Sequence, residues 1–550
     1  MRGAATAALL LVLLTAPAAA RAQTAGSTGT VVDPAVLTAP SSTERPPVGW
    51  RLTARRVVGL AEAAPRIAAV RSERPGSYSR AFLKGDRRWQ VSTYDRRPGS
   101  DEEIGQALVD DRTGRVLEAW TGIQVAWSMA RGYPGAFGRR ANAPWVWIGL
   151  LVLFVLPFLR PPFRALHVDL LVVASLSISY AVFNRADVDL SVPLTYPPLL
   201  YLLGRMLWLA RARGRAGAAI ARPALRLLVG TGFLTLAIVF LLGFRLGLNL
   251  TASNVIDVGY AGVIGADRIG DGDALYGRFP PDNVHGDTYG PLTYYAYVPF
   301  EQALPFRGEW DDLPAAHGAA IAFDLACVLL LWLLGRRLRG PTLGLLLAYL
   351  WLACPFTLMV ANSNANDALL GAFVLLALLV AGRPVVRGAA VAAAGLTKFA
   401  PLALAPLLAT YRRPGEGAVR PFVLTTLAGL LAGAVLLTPV VLLDGGLDRF
   451  WERTLGFQAG RDSPFSVWGL WGLDGPQRVV QVAGVLLALL VAIVPRRRDL
   501  VSLCALSAAV LIGLQLGMSH WFYLYVAWFV GPLLAASLGE YAEPEPRPAV

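Results

Sequence analysis

The sequence contains very little lysine, cysteine and histidine for a chain of 550 residues. Its three cysteines lie in apolar stretches without C-x-x-C or haem-attachment spacing, which argues against a disulfide framework. The four histidines are scattered and show no metal-site spacing. Walker-type loops, zincin motifs and Gly-x-Ser-x-Gly elbows are also missing. The sequence therefore gives no indication of a P-loop nucleotide-binding protein, a zincin metalloprotease or a serine hydrolase of that type.

Charged residues are also few, at 16%, whereas 55% of the residues are hydrophobic. This composition is typical of a membrane protein with several spans. The net charge of +13 does not indicate nucleic acid, because most arginines lie beside apolar runs, as in the cytoplasmic loops of membrane proteins. We therefore expect membrane lipid, and not nucleic acid, among the partners.

Only two lysines, Lys84 and Lys398, occur among the 50 basic residues, and Lys398 lies within the apolar stretch 386–411. An ammonium group at the centre of a membrane costs at least ~2.5–3.5 kcal/mol on insertion scales. An ionisable side chain in such a place is a functional-site hypothesis. The alternative is a cation at a helix end that snorkels to the membrane surface.

Composition divides the chain into six segments. Residues 1–22 have a basic start, a short apolar core and a small-residue site, which is typical of a secretory signal peptide; an uncleaved anchor is the alternative. Residues 23–50 predict a flexible lead-in. The other predicted segments are an extracytoplasmic α+β domain at 51–143, three accessory transmembrane helices at 144–222, a membrane core at 223–540 and a cytoplasmic tail at 541–550.

The α+β domain is predicted from a helical pattern over 55–70 and strands at 79–83 and 89–94, followed by a hairpin over 106–117. Asp-Arg-Thr-Gly forms the predicted hairpin turn. The sequence around this turn, 109–116, resembles PepSY-type extracytoplasmic domains, which implies a binding or regulatory module. Any other small α+β domain is the alternative.

From Pro144 onward, apolar stretches of about 20 residues, enough to cross a bilayer, alternate with loops. Arginine clusters on both sides of 386–411 should be cytoplasmic, so this stretch should form a re-entrant hairpin with Lys398 near its turn. The fold predicted is mainly α, with the N-terminal domain and loops 247–313 and 444–477 outside. The eleven predicted spans are 144–160, 165–184, 189–211, 223–246, 314–335, 341–361, 366–382, 420–443, 478–495, 499–518 and 520–538.

Four motifs of the core, taken in order, resemble those of a known enzyme family. They are the loop with Asp257 and Tyr289-Gly290-Pro291-Leu292, the polar turn 362–367, Lys398 before Pro401-Leu402, and His520 before Tyr523-Leu524. Residues 223–540 thereby resemble the polyprenyl-phosphate-dependent glycosyltransferases of the GT-C superfamily, nearest to glycosyltransferase family 87. The polar turn departs from the Gly-Gln-type pattern of that family.

The resemblance implies a polytopic membrane enzyme of the plasma membrane with an extracytoplasmic active site. It would transfer a sugar, such as mannose or arabinose, from a polyprenyl-phosphate donor to a glycan, lipid or protein acceptor with inversion. A base must take the acceptor proton, and cations must stabilise the leaving phosphate. The candidates are Asp257 and then Asp287 as base; Lys398, His520, Arg461 and Arg453 at the donor phosphate; and Tyr289, Tyr260 and Trp468 at the substrate.

Each candidate also has an ordinary structural explanation. Asp257 could cap a helix, the loop arginines could be solvated, and His520 and Trp468 could lie at the membrane interface. Asp271-Gly272-Asp273 resembles a metal-binding D-x-D but also fits a solvated turn, so no cofactor is predicted beyond this possible divalent cation. A transporter or flippase for lipid-linked glycans is the alternative function, since it shares a broken helix and a buried cation. A non-catalytic scaffold offers no reason for Lys398.

Overall fold

The computed structural model describes residues 37–85, 87–96, 101–132, 137–216, 222–310, 312–413, 415–443, 445–495 and 498–542. The protein is mainly helical, with 65% helix and 7% strand. It divides into two compact units, one within Thr24–Tyr133 and one within Pro134–Val550. The predicted signal peptide, the first part of the lead-in and most of the predicted cytoplasmic tail lie outside the described residues.

The N-terminal unit packs helices against one antiparallel sheet with the strand order β1-β2-β3-β4. The predicted strands and the predicted hairpin are confirmed. In the hairpin turn, the Thr113 backbone N–H donates to Asp110 Oδ1 at 2.7 Å. The elements are α1 (Ala54–Glu62), α2 (Pro65–Glu73), β1 (Tyr78–Lys84), β2 (Arg88–Asp95), β3 (Glu102–Asp110), β4 (Val116–Thr121) and α3 (Ile123–Ala126).

The prediction of a single helix over 55–70 is wrong, because the chain breaks between α1 and α2. Pro65 occupies the first turn of α2, where its missing N–H costs nothing, but it could not continue α1. The break lets both helices cover the sheet. Val57 from α1 and Ile67 from α2 are fully buried against Trp89 and Val91 of β2.

The helical unit contains several apolar helices that bury polar side chains between them. Five helices among the described residues are long and apolar enough to cross a membrane, and a pair bent by 61° adds a sixth. The protein therefore has the features of a membrane protein, but the predicted number of eleven spans is not confirmed. The reason is length: several predicted spans form helices of only 10–17 residues, such as Pro144–Phe158 and Leu500–Gln515.

The helical unit contains 21 α-helices among the described residues. They are α4 (Pro144–Val155), α5 (Ala165–Phe183), α6 (Val188–Ser191), α7 (Tyr196–Ala216), α8 (Thr231–Ala252), α9 (Asp257–Gly270), α10 (Pro291–Tyr295), α11 (Val298–Ala303), α12 (Pro314–Arg339), α13 (Pro341–Ala353), α14 (Pro355–Asn362), α15 (Asp367–Leu379), α16 (Pro384–Gly395), α17 (Ala405–Ala409), α18 (Val419–Leu443), α19 (Leu447–Trp451), α20 (Phe457–Ala459), α21 (Val467–Trp471), α22 (Asp474–Val491), α23 (Leu500–Gln515) and α24 (Val526–Gly539).

Buried charges in this unit are held in pairs that tie distant helices together. Arg245 on α8 donates to both oxygens of Asp324 on α12, at 2.9 and 2.7 Å. Arg205 on α7 bridges Asp169 and Glu540 at 3.1 and 2.7 Å. A buried ion of either sign alone would carry a desolvation penalty of several kcal/mol. The pairs therefore allow arginine and aspartate inside an apolar helical body.

Candidate active site

Lys398 lies in the break that follows α16. The helix ends at Gly395, and a 3₁₀ turn, Ala400–Leu404, begins two residues after Lys398. Gly395 is required here, because a Cβ on it would lie 2.3 Å from the Leu402 side chain. The break predicted within 386–411 is therefore present, and only 8% of Lys398 is exposed.

Asp367 neutralises Lys398. The Lys398 Nζ donates to Asp367 Oδ1 at 2.6 Å, and Trp528 Nε1 donates to the same oxygen at 2.7 Å. Asp367 is the first residue of α15, where the helix dipole favours a negative charge. The Lys398 ammonium also lies 5.3–5.7 Å from the ring centroids of Tyr289, Tyr525 and Trp528, within the range of cation–π attraction.

The Tyr289-Gly290-Pro291-Leu292 motif docks directly on the turn that carries Lys398. The backbone N–H groups of Gly290 and Leu292 donate to the carbonyls of Thr397 and Leu396, at 3.1 and 3.0 Å. The approach is so close that a Cβ on Gly290 would lie 2.0 Å from the Leu396 carbonyl oxygen. This contact brings Tyr289 to the ammonium group of Lys398.

Asp257 is brought to the same place by the polar turn 362–367. The backbone N–H groups of Asn254 and Ile256 donate to the carbonyls of Asn362 and Ser363, both at 3.1 Å. Asp257 then begins α9. Burial raises the pKa of Asp257 to about 6, and the positive charges of Arg461 and Lys398 oppose that rise. Asp257 and Lys398 are therefore close enough to interact electrostatically.

His520 and Arg461 complete the group. Ser463, two residues after Arg461, hydrogen-bonds His520 Nδ1 through its Oγ at 2.9 Å. The charges of Arg461 and Lys398 both act on the His520 side chain, so these three residues lie near one another.

These side chains are half-buried within the helical unit. Asp257, Tyr289, His520 and Tyr525 each keep part of their surface accessible. Within the part of the chain that the structure describes, several buried polar atoms of the turn 362–367 have no hydrogen-bond partner, among them both amide atoms of Asn366 and Oδ2 of Asp367. Unpartnered groups of this kind cost about 1–3 kcal/mol each. A binding site gives a reason to retain them.

Asp287 and Arg453, predicted for different roles, are paired with each other. Arg453 Nε and Nη2 donate to the two oxygens of Asp287 at 2.8 and 2.7 Å, and the Gly277 N–H adds a third bond at 2.6 Å. Asp287 is fully buried. Because both carboxylate oxygens already accept hydrogen bonds, this pair is arranged to hold the loop before Tyr289 in place, not to take a proton.

The remaining candidates lie in other surroundings. Tyr260 donates to Asp282 at 3.2 Å and packs on Trp310, and the Trp468 indole donates to the Leu516 carbonyl at 2.8 Å. Asp271 and Asp273 are exposed, and Asp273 forms an ion pair with Arg268 at 3.4 Å. The structure does not bring these four residues together with Lys398.

Sequence reasoning gave no role to Asp367, Tyr525 or Trp528. The sequence could have indicated Asp367, because it is an acid within a predicted span. An ionisable side chain in such a place is a functional-site hypothesis, as it is for Lys398. The two aromatic residues carried no such indication, because aromatic side chains are common in apolar helices. Comparison with models of known protein families finds no match, and comparison with curated proteins finds none either.

Proposed function

We propose that this protein is an integral-membrane glycosyltransferase that takes its sugar from a polyprenyl-phosphate donor. The observation that carries the proposal is that Asp257, with a pKa of about 6, lies within electrostatic reach of Arg461 and Lys398. Acceptor activation needs a carboxylate whose pKa lies near the working pH, and a leaving phosphate needs cations. This group of side chains offers both.

The reaction is a direct displacement at the anomeric carbon. Asp257 takes the proton of the acceptor hydroxyl as its oxygen attacks that carbon. The bond from the anomeric carbon to the phosphate oxygen breaks, and its electron pair leaves with the polyprenyl phosphate. The new glycosidic bond forms on the opposite face of the sugar, so the configuration inverts.

Arg461 and Lys398 have different parts in stabilising the leaving phosphate. Lys398 donates one N–H to Asp367 and has two further N–H donors for the phosphate. Because Asp367 neutralises part of its charge, Lys398 acts on the phosphate mainly through hydrogen bonds. The Arg461 guanidinium can donate two parallel hydrogen bonds to a phosphate. His520 adds a hydrogen bond to the phosphate.

The family assignment belongs to the same proposal. It comprises the GT-C architecture with eleven spans and a re-entrant hairpin, an orientation with the site and the N-terminal unit on the extracytoplasmic face of the plasma membrane, and a glycan, lipid or protein acceptor. The docking of Tyr289-Gly290-Pro291-Leu292 on the Lys398 turn supports it, because two motifs of the resemblance meet in one site.

The test is sugar transfer by the purified full chain in proteoliposomes that contain a radiolabelled polyprenyl-phosphate sugar and a membrane extract as acceptor source. The wild-type protein should form labelled product, and Asp257→Asn should lower the rate by a factor of about 10²–10⁴, the usual contribution of a general base. Asp271→Asn is the matched control, since it removes an exposed acid of the same loop.

Two results would count against the proposal. Full activity of Asp257→Asn would remove Asp257 as the base. Movement of the labelled lipid between leaflets without any labelled product, unchanged in Asp257→Asn, would favour the flippase alternative.

A further inference from the structure

Arginine side chains gather at the end of α16 that lies away from Lys398. Arg387, in the first turn of α16, precedes Lys398 by eleven positions, or about 16 Å along a helix. Its guanidinium stacks on the Tyr411 ring with 5.6 Å to the centroid. We call this group the arginine cluster; its members are Arg337, Arg387, Arg412, Arg413 and Arg498.

The other four members meet Arg387 at two short segments, 379–382 and 410–413. Arg337 donates to the Leu379 carbonyl, and Arg498 donates to Thr410 Oγ1 at 3.2 Å. The Arg413 guanidinium lies against Gly382, where a Cβ would come within 2.1 Å of Nη2. Burial lowers the pKa of Arg498, and the charge of Arg412 lowers it further, so these two cations are also close.

Carboxylates do not balance these charges. Over the described ranges, no member of the arginine cluster forms an ion pair within 4.0 Å. Arg337, Arg412 and Arg413 are exposed and can therefore be reached by a ligand from solvent or the membrane surface. The nearby Asp499 is paired with Arg213. Glu416 accepts a hydrogen bond from the Arg413 backbone N–H at 3.1 Å, and it contributes one negative charge to the region.

Helix capping accounts for only part of the positive charge. Three helices, α15, α17 and α22, end beside the cluster, and its arginines donate to carbonyls at these ends. Each helix end carries about half an elementary negative charge. Together with Glu416, the three ends offset between two and three of the five positive charges, and a surplus of about two remains.

Membrane orientation does not explain Arg387 either. The positive-inside preference acts through loop charges, whereas Arg387 is only 1% exposed and belongs to a helix. Its Nη1 donates to the Ala381 carbonyl and its Nη2 donates to Thr425 Oγ1 at 2.6 Å, whereas its Nε has no hydrogen-bond partner among the described residues. Apolar side chains with roughly half of their surface exposed flank the cluster, namely Val385, Val386, Ile493 and Val494.

We propose that the arginine cluster binds the phosphate headgroup of an anionic phospholipid. Guanidinium groups recognise phosphate through paired hydrogen bonds, and basic pockets between membrane helices are suited to lipid headgroups. The exposed valines and Ile493 provide an apolar surface for the acyl chains, which a free phosphate ion would not use. This lipid site lies away from the proposed sugar-transfer site and does not depend on it.

The full chain, reconstituted in phosphatidylcholine nanodiscs with increasing phosphatidylglycerol, tests the proposal by native mass spectrometry. We expect the wild-type protein to retain phosphatidylglycerol, and Arg412→Gln/Arg413→Gln to need about tenfold more of it for equal retention. Arg185→Gln/Arg278→Gln is the matched control, because it removes two exposed arginines far from the cluster in sequence.

Three results would overturn the proposal. Retention by Arg412→Gln/Arg413→Gln equal to that of the control pair would remove the cluster as the binding site. Equal retention of phosphatidylcholine and phosphatidylglycerol by the wild-type protein would remove the preference for an anionic headgroup. Full displacement of the lipid by millimolar inorganic phosphate would identify a free anion as the ligand. Far-ultraviolet circular dichroism of each variant verifies that it is folded.

Discussion

The buried charge of Lys398 is stabilised by a partner and can still bind a ligand. Its charge costs several kcal/mol in an apolar body, and Asp367, at 2.6 Å, offsets that cost. Lys398 has two further N–H donors beside the one bonded to Asp367, and Asp367 Oδ2 has no hydrogen-bond partner among the described residues. The pair can therefore still hydrogen-bond a ligand. Snorkelling to the membrane surface is not needed to explain Lys398.

As the proposed base, Asp257 should make the rate of sugar transfer fall on the acidic side of its pH profile. Its carboxylate acts as a base only when deprotonated, and burial raises its pKa to about 6. We therefore expect kcat/KM to be constant above that pH and to fall about tenfold per pH unit below it. The measurement is the initial rate of sugar transfer between pH 4.5 and 8.

Asp271→Asn should leave this pH profile unchanged, because Asp271 is exposed and lies outside the site. If the residual rate of Asp257→Asn falls at the same pH as the wild-type rate, the titrating group is not Asp257.

Removing one charge of the Lys398–Asp367 pair should cost more than removing both. Lys398→Met leaves Asp367 ionised and buried, a change that typically costs about 3–5 kcal/mol. Lys398→Met/Asp367→Asn removes both charges and keeps an acceptor for the Trp528 indole. We expect the double variant to unfold at a higher temperature than Lys398→Met, as measured by thermal unfolding in detergent.

The other lysine of the chain provides the control. Lys84 lies in the sheet of the N-terminal unit, is half-buried and donates a hydrogen bond to Gln90 Oε1 at 3.2 Å. Lys84→Met should cost less than about 1 kcal/mol. An additive double variant would show that the two buried charges do not stabilise each other.

At the scale of elements, the site depends on backbone segments that are remote in sequence. The break after α16 accepts backbone hydrogen bonds from the segment before α10, and the turn before α15 accepts them from the segment before α9. Four segments are thereby held in two pairs by backbone hydrogen bonds. Close backbone approach, more than side-chain packing, sets the geometry.

Gly290→Ala should disrupt this geometry. The new Cβ would lie 2.0 Å from the Leu396 carbonyl oxygen, so the segment around Tyr289 must move away from Lys398. Forced overpacking typically costs about 1–3 kcal/mol, and we expect sugar transfer to fall at least tenfold. The measurement is the transfer rate at equal amounts of folded protein.

Gly475→Ala is the control for Gly290→Ala, because no atom lies within 4 Å of a Cβ at that glycine. It should retain the wild-type rate. Equal rates for both variants would show that the Tyr289 segment is not held by its contact with the Lys398 turn.

The sequence could predict the pieces of this site but not their pairing. Pro401, Pro406 and the charged Lys398 made the break in 386–411 predictable, and the resemblance singled out Asp257. The pairing of Asp287 with Arg453 was not predictable, since 166 positions separate them and either charge is plausible in a solvated loop. The role of Asp367 was missed because its turn departs from the family pattern.

At the scale of the whole molecule, the sequence pattern predicted the types of secondary structure better than the lengths of the helices. Short runs of strand-forming residues bounded by turn residues predicted the strands of the N-terminal sheet. The number of spans was less predictable, because apolar runs do not show where a helix stops. Thus α13 and α14 share one predicted span but bend by 61° at Pro355.

Each of the two units has its own hydrophobic core, and this predicts local effects of core mutations. Trp89 is fully buried at the centre of the N-terminal unit, and its indole donates to Asp111 Oδ1 at 3.0 Å. Asp111 also accepts the backbone N–H groups of Arg51 and Leu52 at 2.9 and 3.0 Å. Trp89→Ala should cost about 3–5 kcal/mol, which is enough to expose much of this unit.

Hydrogen exchange followed by mass spectrometry measures that effect unit by unit. In Trp89→Ala, we expect protection to be lost over β1 to β4 and retained over α12 to α16, because their amides are protected by contacts within the helical unit. Trp120→Ala is the control, since that ring is only partly buried, at the edge of the same sheet. Loss of protection across both units would mean that they fold as one cooperative body, and the separate cores would then not set the limits of unfolding.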